Sequence, residues 1–169
     1  MIYKYKDKKP KAEKIAFDAP NCAIIGEVAI GEGASVWFGA TIRADVAPVT
    51  IGKNTNIQDN ATVHVSHGNP TVIGDEVTVG HNAVVHGCTI GNRCLIGMGA
   101  VVLDQAVIGD GSVVGAGALV TQGKRFPPRS LIVGSPAKAV ALISDDQYEK
   151  LIESAQTYVT LAIETAVSM

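Results

Sequence analysis

Aromatic residues are scarce in this chain of 169: they make up 5% of it, against 47% for apolar residues as a whole. A core of this kind cannot rest on large rings. It has to be built from Val, Ile, Leu and Ala, in a shape that suits small branched side chains. Charge is nearly balanced, with 14 Lys and Arg against 16 Asp and Glu for a net −2. That excludes a basic footprint for nucleic acid or for an anionic membrane. The basic start, "YKYKDKKPKAEK", is short and reads as a solvated N-terminal arm. No stretch has the unbroken apolar length of a membrane span, and nothing resembles a signal peptide. Three cysteines, an odd number without metal-type spacing, point to a reducing compartment. The expectation is a soluble cytoplasmic protein of one domain.

Glycine is plentiful. Its 18 copies are spread through the chain, a pattern that suggests regularly spaced turns. Branched apolar residues recur every six positions: Ile24, Ile30, Val36 and Ile42, then Ile51, Ile57 and Val63, then Ile73, Val79 and Val85. After one five-residue step the series runs through Ile90, Ile96, Val102, Ile108, Val114 and Val120. A small residue precedes most of these by two places, and glycine often follows directly. A six-residue period does not hold one face of a helix. It suits a short strand with a corner, where the large residue fills a narrow interior and glycine permits the turn. Three such strands per turn make a triangular solenoid whose stacked rungs share a core. Cys22, Cys88 and Cys94 fall in the small-residue slot and read as buried packing thiols.

The repeat is expected to occupy about residues 12–122. A proline-containing connecting segment follows over 123–143, then a helix over 144–166 opened by the capping box "SDDQ" at 144–147. Tyr148, Leu151, Ile152, Ala155, Val159 and Ala162 give that helix an apolar face, predicted to pack on the outside of the coil.

All four histidines, His64, His67, His81 and His86, lie within 23 residues of one another. The repeat serves as a coordinate system for them. Ile42, Val63 and Val85 share a column, so Arg43, His64 and His86 stack on successive rungs, with the two histidines about 4.8 Å apart. His81 belongs to another column, above Asp59 and beside Gln58. Side chains on different faces of one prism diverge, whereas a second copy can bring His81 to His64 and His86 and place Arg43 opposite Asp59. Such a contact joins unlike faces and must close as a ring, for which a homotrimer is the simplest solution. Three imidazoles with an open position describe a catalytic zinc site, although Fe2+ or Co2+ suits the same ligands. The bland alternative is surface histidines, or interface hydrogen bonding.

The segments "IRADVAP" (42–48), "NIQDNATVHV" (56–65) and "VGHNAVVHGCTIGNRCLIGMGA" (79–100) resemble the γ-class carbonic anhydrase family, over nearly the whole chain. The resemblance implies a left-handed parallel β-helix of hexapeptide repeats with a C-terminal α-helix. It also implies zinc on His64, His81 and His86, reversible hydration of CO2 to bicarbonate, Gln58 orienting the attacking water, and a helix tyrosine, Tyr158, approaching the metal. For Tyr158 simple packing is the alternative. Two departures stand out: Val46 replaces a glutamate that follows the position of Asp45, and the loop "VSHGNPT" lacks the family's acidic proton shuttle. His67 in that loop is a candidate substitute, with an exposed loop histidine as the plain reading. Two other functions stay open. One is acyl-coenzyme A-dependent acyl transfer, since "GSPAK" (134–138) resembles the end of such coils; the other is a catalytically silent zinc-binding trimer.

Overall fold

Side chains spaced six apart fill the axis of a parallel β-solenoid. The computed structural model describes residues 1–169. Along one edge Ile24, Ile42, Val63, Val85, Val102 and Val120 stack in register. Along the second, Ile30, Ile51, Ile73, Ile90, Ile108 and Phe126 do the same. The third carries Val36, Ile57, Val79, Ile96, Val114 and Ile132, with Phe17 paired to Ser35 beneath them, which makes seven levels. All of these large residues except Phe126 are buried. Between them Ala34, Ala40, Ala61, Ala83, Ala100 and Ala106 are buried as well, so each narrow level holds large and small side chains in alternation.

Cys22, Cys88 and Cys94 are free, buried members of this packing. Burial pushes the Cys88 and Cys94 thiols up to about 12, because an apolar interior opposes the thiolate.

The coil is longer than its repeat suggests. Ile2–Tyr3 pairs with the strand Ala23–Ile30. The segment 123–143, expected as a connection, is itself structured. Arg125–Phe126 pairs with Val107–Ile108, and Leu131 and Ile132 pair with Val113 and Val114. Ser130–Gly134 then turns back antiparallel to Ala137–Leu142. Pro127 and Pro128 do not end the coil, because they occupy a corner of its final level. The donor that proline lacks would have reached a level that does not exist.

The helix runs over Asp145–Ser168, and Ser144 and Gln147 cap it reciprocally as the sequence predicts. Leu151, Ala155 and Ala162 are buried against the third edge. It descends the coil: the Tyr148 hydroxyl accepts from Arg93 at 3.1 Å near the top, Tyr158 sits edge-on to Trp37, and Ala166 and Met169 lie beside Phe17 at the base. Its 24 residues give about 36 Å of helix, enough to cover levels stacked about 4.8 Å apart. No helix is long and apolar enough to cross a membrane.

Candidate functional site

Register places the first two histidines side by side. Strand Thr62–His64 pairs with Val84–His86 so that His64 lies opposite His86, with ring centroids 4.9 Å apart. His64 Nδ1 and His86 Nε2 face each other at 3.0 Å. The outer nitrogen of each ring meets a carboxylate: His64 Nε2 is 3.1 Å from Asp45 Oδ1, and His86 Nδ1 is 2.5 Å from Asp104 Oδ1. Arg43 pairs with the other oxygen of Asp45, and Ser66 Oγ donates to Asp104 Oδ2 at 2.8 Å. Partial burial alone would raise both carboxyls. The hydrogen bonds from the imidazoles outweigh it, aided by Arg43 at Asp45 and by Ser66 at Asp104, and hold both below the usual carboxylate range.

Proton counting follows from those contacts. An ionised carboxylate only accepts, so each imidazole donates its outer N–H. The two inner nitrogens are then both lone pairs at 3.0 Å, a contact that needs a proton or a cation between them. Two imidazoles with inner lone pairs and carboxylate-held outer N–H groups form a donor set that fits a zinc-type ion.

A second cluster lies across the corner. Strand Thr78–Val79 leads into His81, whose Nδ1 is 2.8 Å from Asp59 Oδ2 one level below. Gln58, next to Asp59, is buried; its Nε2 donates to Asn56 Oδ1 at 3.1 Å, and Asn56 Nδ2 donates to Thr78 Oγ1 at 3.0 Å. That chain fixes the Gln58 amide and leaves its Oε1 available as an acceptor. Gln58, Gly80, Leu95, Met98, Ser154 and Tyr158 are among the residues lining a cleft of about 420 Å³ between coil and helix. Tyr158 is half-buried, with its ring edge-on to Trp37 at 5.6 Å. Burial, then the negative charge of Asp59, pushes its phenol up.

One chain therefore carries two clusters: Arg43, Asp45, His64, His86 and Asp104 in one, Gln58, Asp59, His81 and Tyr158 in the other. Within the chain no three His, Cys, Asp or Glu side chains converge in a metal-holding group. Arg43 engages Asp45 and Asp59 engages His81, so the expected Arg43–Asp59 pair is not formed inside one chain. His67 is exposed at the tip of a turn closed by Ser66 and Asn69.

Asp45, Asn56, Ser66 and Asp104 are the members of these clusters that the sequence reading did not single out. Asn56 and Asp104 could have been found with the same coordinate system. Asn56 sits two places before Gln58, hence on the same face of its strand, and Asp104 sits one level above Gly87, the neighbour of His86.

Parallel coil and stacked histidines together define a hexapeptide-repeat protein. The model of the family "Bacterial transferase hexapeptide (six repeats)" matches residues 70–104 and 87–122. A hexapeptide transferase family protein from Anaplasma phagocytophilum has the same fold, with a TM-score of 0.91, 40% identity and 96% of each chain covered. A Bacillus cereus protein described provisionally as an acetyltransferase superposes with a TM-score of 0.97 at 42% identity, covering 100% of this chain and 98% of that one. The sequence is also 46% identical to a carbonic anhydrase of Geobacillus kaustophilus, over 94% of this chain and 87% of that protein. It is 44% identical to the mitochondrial gamma carbonic anhydrase 2 of Arabidopsis thaliana, over 92% of this chain but 58% of the plant protein's length. The chain belongs to the γ-class carbonic anhydrase family of hexapeptide-repeat proteins.

Proposed function

We propose that this chain is a metal-dependent lyase that interconverts CO2 and bicarbonate at sites formed between copies of a homotrimer. His64 and His86 of one copy and His81 of the next would hold zinc, with Fe2+ or Co2+ as ions of the same preference. The observation that carries this reading is the 3.0 Å approach of His64 Nδ1 to His86 Nε2 while Asp45 and Asp104 hold the outer nitrogens. Within the chain no third such side chain joins that pair in a metal-holding group, and His81, held by Asp59 on another corner, would be supplied by a neighbouring copy.

Zinc bound there would supply a nucleophile from water near neutral pH. The protein's own groups do the rest. Asn56 orients Gln58, whose free Oε1 would accept a hydrogen bond from the attacking water and so aim it. Arg43 of one copy opposite Asp59 of the next would lock the two clusters in register. The carriage of the name carbonic anhydrase by relatives 44% and 46% identical supports this chemistry.

Acyl transfer is the second reading, favoured by the transferase descriptions of close structural neighbours and by the apolar cleft at Tyr158. It uses a histidine as a base without a metal; a carboxylate-held imidazole suits that task as well, but a second lone pair facing it at 3.0 Å is better matched to a shared cation.

Metal analysis of the purified protein, run with its mass in solution and a stopped-flow CO2 hydration assay, tests the proposal. About one zinc per chain in a trimer that hydrates CO2 is expected. A metal-free protein that added zinc does not reconstitute would overturn it and bring acyl transfer forward.

A further inference from the structure

We infer that Asp104, held in place by Ser66, is the positioning residue that fixes His86 as a metal ligand, an assignment that rests on the metal site proposed above. Three Asp and Asn side chains that follow the second edge do a different job from the histidine-holding aspartates. Asp75, Asn92 and Asp110 each use Oδ1 to accept a backbone N–H from the level below, at 2.7, 2.9 and 2.9 Å. They tie successive levels together. Asp104 departs from this habit, since its oxygens are directed to two side chains, His86 and Ser66.

Like Asp75, Asn92 and Asp110, which stand over Gly52, Gly74 and Gly91, Asp104 has a bare corner beneath it; what sets it apart is the clasp of the 66–69 turn. Gly87, directly after His86, takes φ +56°, and a Cβ there would collide with Asp104 Oδ1. Only a bare corner leaves the carboxylate room to descend onto the imidazole. Ser66 comes from a turn 38 residues earlier in the chain. That turn is fastened in its own right: Asn69 Nδ2 donates to Ser66 Oγ at 2.9 Å, and Gln105 Nε2 donates to Asn69 Oδ1 at 3.1 Å. Asp104 and its neighbour Gln105 are thus both clasped by the 66–69 turn, so the carboxylate is aimed rather than free to swing.

The chemical effect is specific to one ring nitrogen. With Nδ1–H committed to Asp104, His86 presents its Nε2 lone pair toward His64, the orientation that coordination requires. A carboxylate on the far nitrogen also makes the imidazole a stronger donor. Asp45 occupies the corresponding place behind His64 but shares its charge with Arg43. Asp104 has no such guanidinium partner, so its charge acts on His86. The short loop after His64 thereby acquires a role as the support of this carboxylate.

The test uses the full chain, stripped of metal, with zinc alone titrated against a chromophoric chelator. Asp104→Asn should bind zinc about 10- to 100-fold more weakly, the usual range for loss of such a partner, and Ser66→Ala should show a smaller loss in the same direction. Nitrogen-15 NMR of the metal-free imidazoles should show His86 as the Nδ1–H tautomer in the wild type and a mixture in Asp104→Asn, a change that a purely architectural role would not produce. Wild-type binding with unaltered affinity and unaltered His86 tautomer in Asp104→Asn would overturn this inference alone. A wild type that takes up no zinc would overturn the metal site itself. Ser66→Ala keeps the question decidable if Asp104→Asn does not fold.

Discussion

His64 and His86 lie on adjacent levels of the coil with their inner nitrogens 3.0 Å apart, and each is backed by an aspartate on its outer side. The arrangement is complete as a pair and incomplete as a metal cage. His81, proposed above as the third ligand, is held by Asp59 on a separate corner of the same chain.

If neighbouring copies complete the site, two defective chains should rescue each other. His81→Ala and His86→Ala are each expected to lose bound metal as pure proteins. Refolded together in equal amounts, they should regain about a quarter of the wild-type metal content, since random rings of three containing both chains hold one intact site each. No recovery in mixed rings of confirmed composition would argue for a site within a single chain.

His67 stands exposed on its turn, so His67→Ala should leave turnover unchanged at every buffer concentration. A loss of turnover that appears only at low buffer would instead identify it as the group that exports the proton.

Tyr158→Phe keeps the ring edge-on to Trp37 and should leave folding stability within about 0.5 kcal/mol of wild type. Metal content should also be unchanged. The expected change is a fall in turnover, because the hydroxyl lost is the one lining the cleft with Gln58. Equal turnover would assign the residue to packing.

The thiols set an alkaline limit on stability. Cys88 and Cys94 have ordinary values of 9.0 raised to about 12 by burial. Below about pH 9 both states keep the proton, and the contribution to stability is intact. Between about 9 and 12 the unfolded chain ionises while the folded one cannot, so stability falls as pH rises. Denaturation midpoints measured across that window should decline, less so in a Cys88→Ala, Cys94→Ala double variant relative to its own neutral value. In the native state at pH 8 neither thiol should react with an alkylating reagent.

Ser144→Ala removes one half of the capping box and should cost about 1 kcal/mol, read from urea denaturation. The helix end would be loosened while the histidine clusters, which lie on the coil, keep their geometry.

Much of this was legible in the sequence because a six-residue period is also a map. It put His86 beside His64 and Asp59 under His81, and the structure has both relationships. The upper end of the coil was less legible. Phe126 and Ile132 continue the six-residue series beyond Val120, but the prolines of the segment read as a break. The period could not convey that the final level has free donors to lose. The period also places Asp104 one level above Gly87 but does not reveal its role, which depends on which way its side chain leans into the space over that glycine. Side-chain direction at a corner is decided by contacts from residues far away in the chain, here Ser66.

The helix that descends the coil ends beside Phe17, one of the earliest core residues of the chain. During synthesis the ribosome therefore delivers the levels from the bottom upward, and delivers the cover for the bottom ones last. Trp37 and the buried polar row of Ser35, Asn56 and Thr78 stay open to water until residue 145 and its successors have left the exit tunnel. The lower coil is thus the part of a nascent chain most in need of protection, and a truncation that spares every histidine but removes the helix would leave that flank bare.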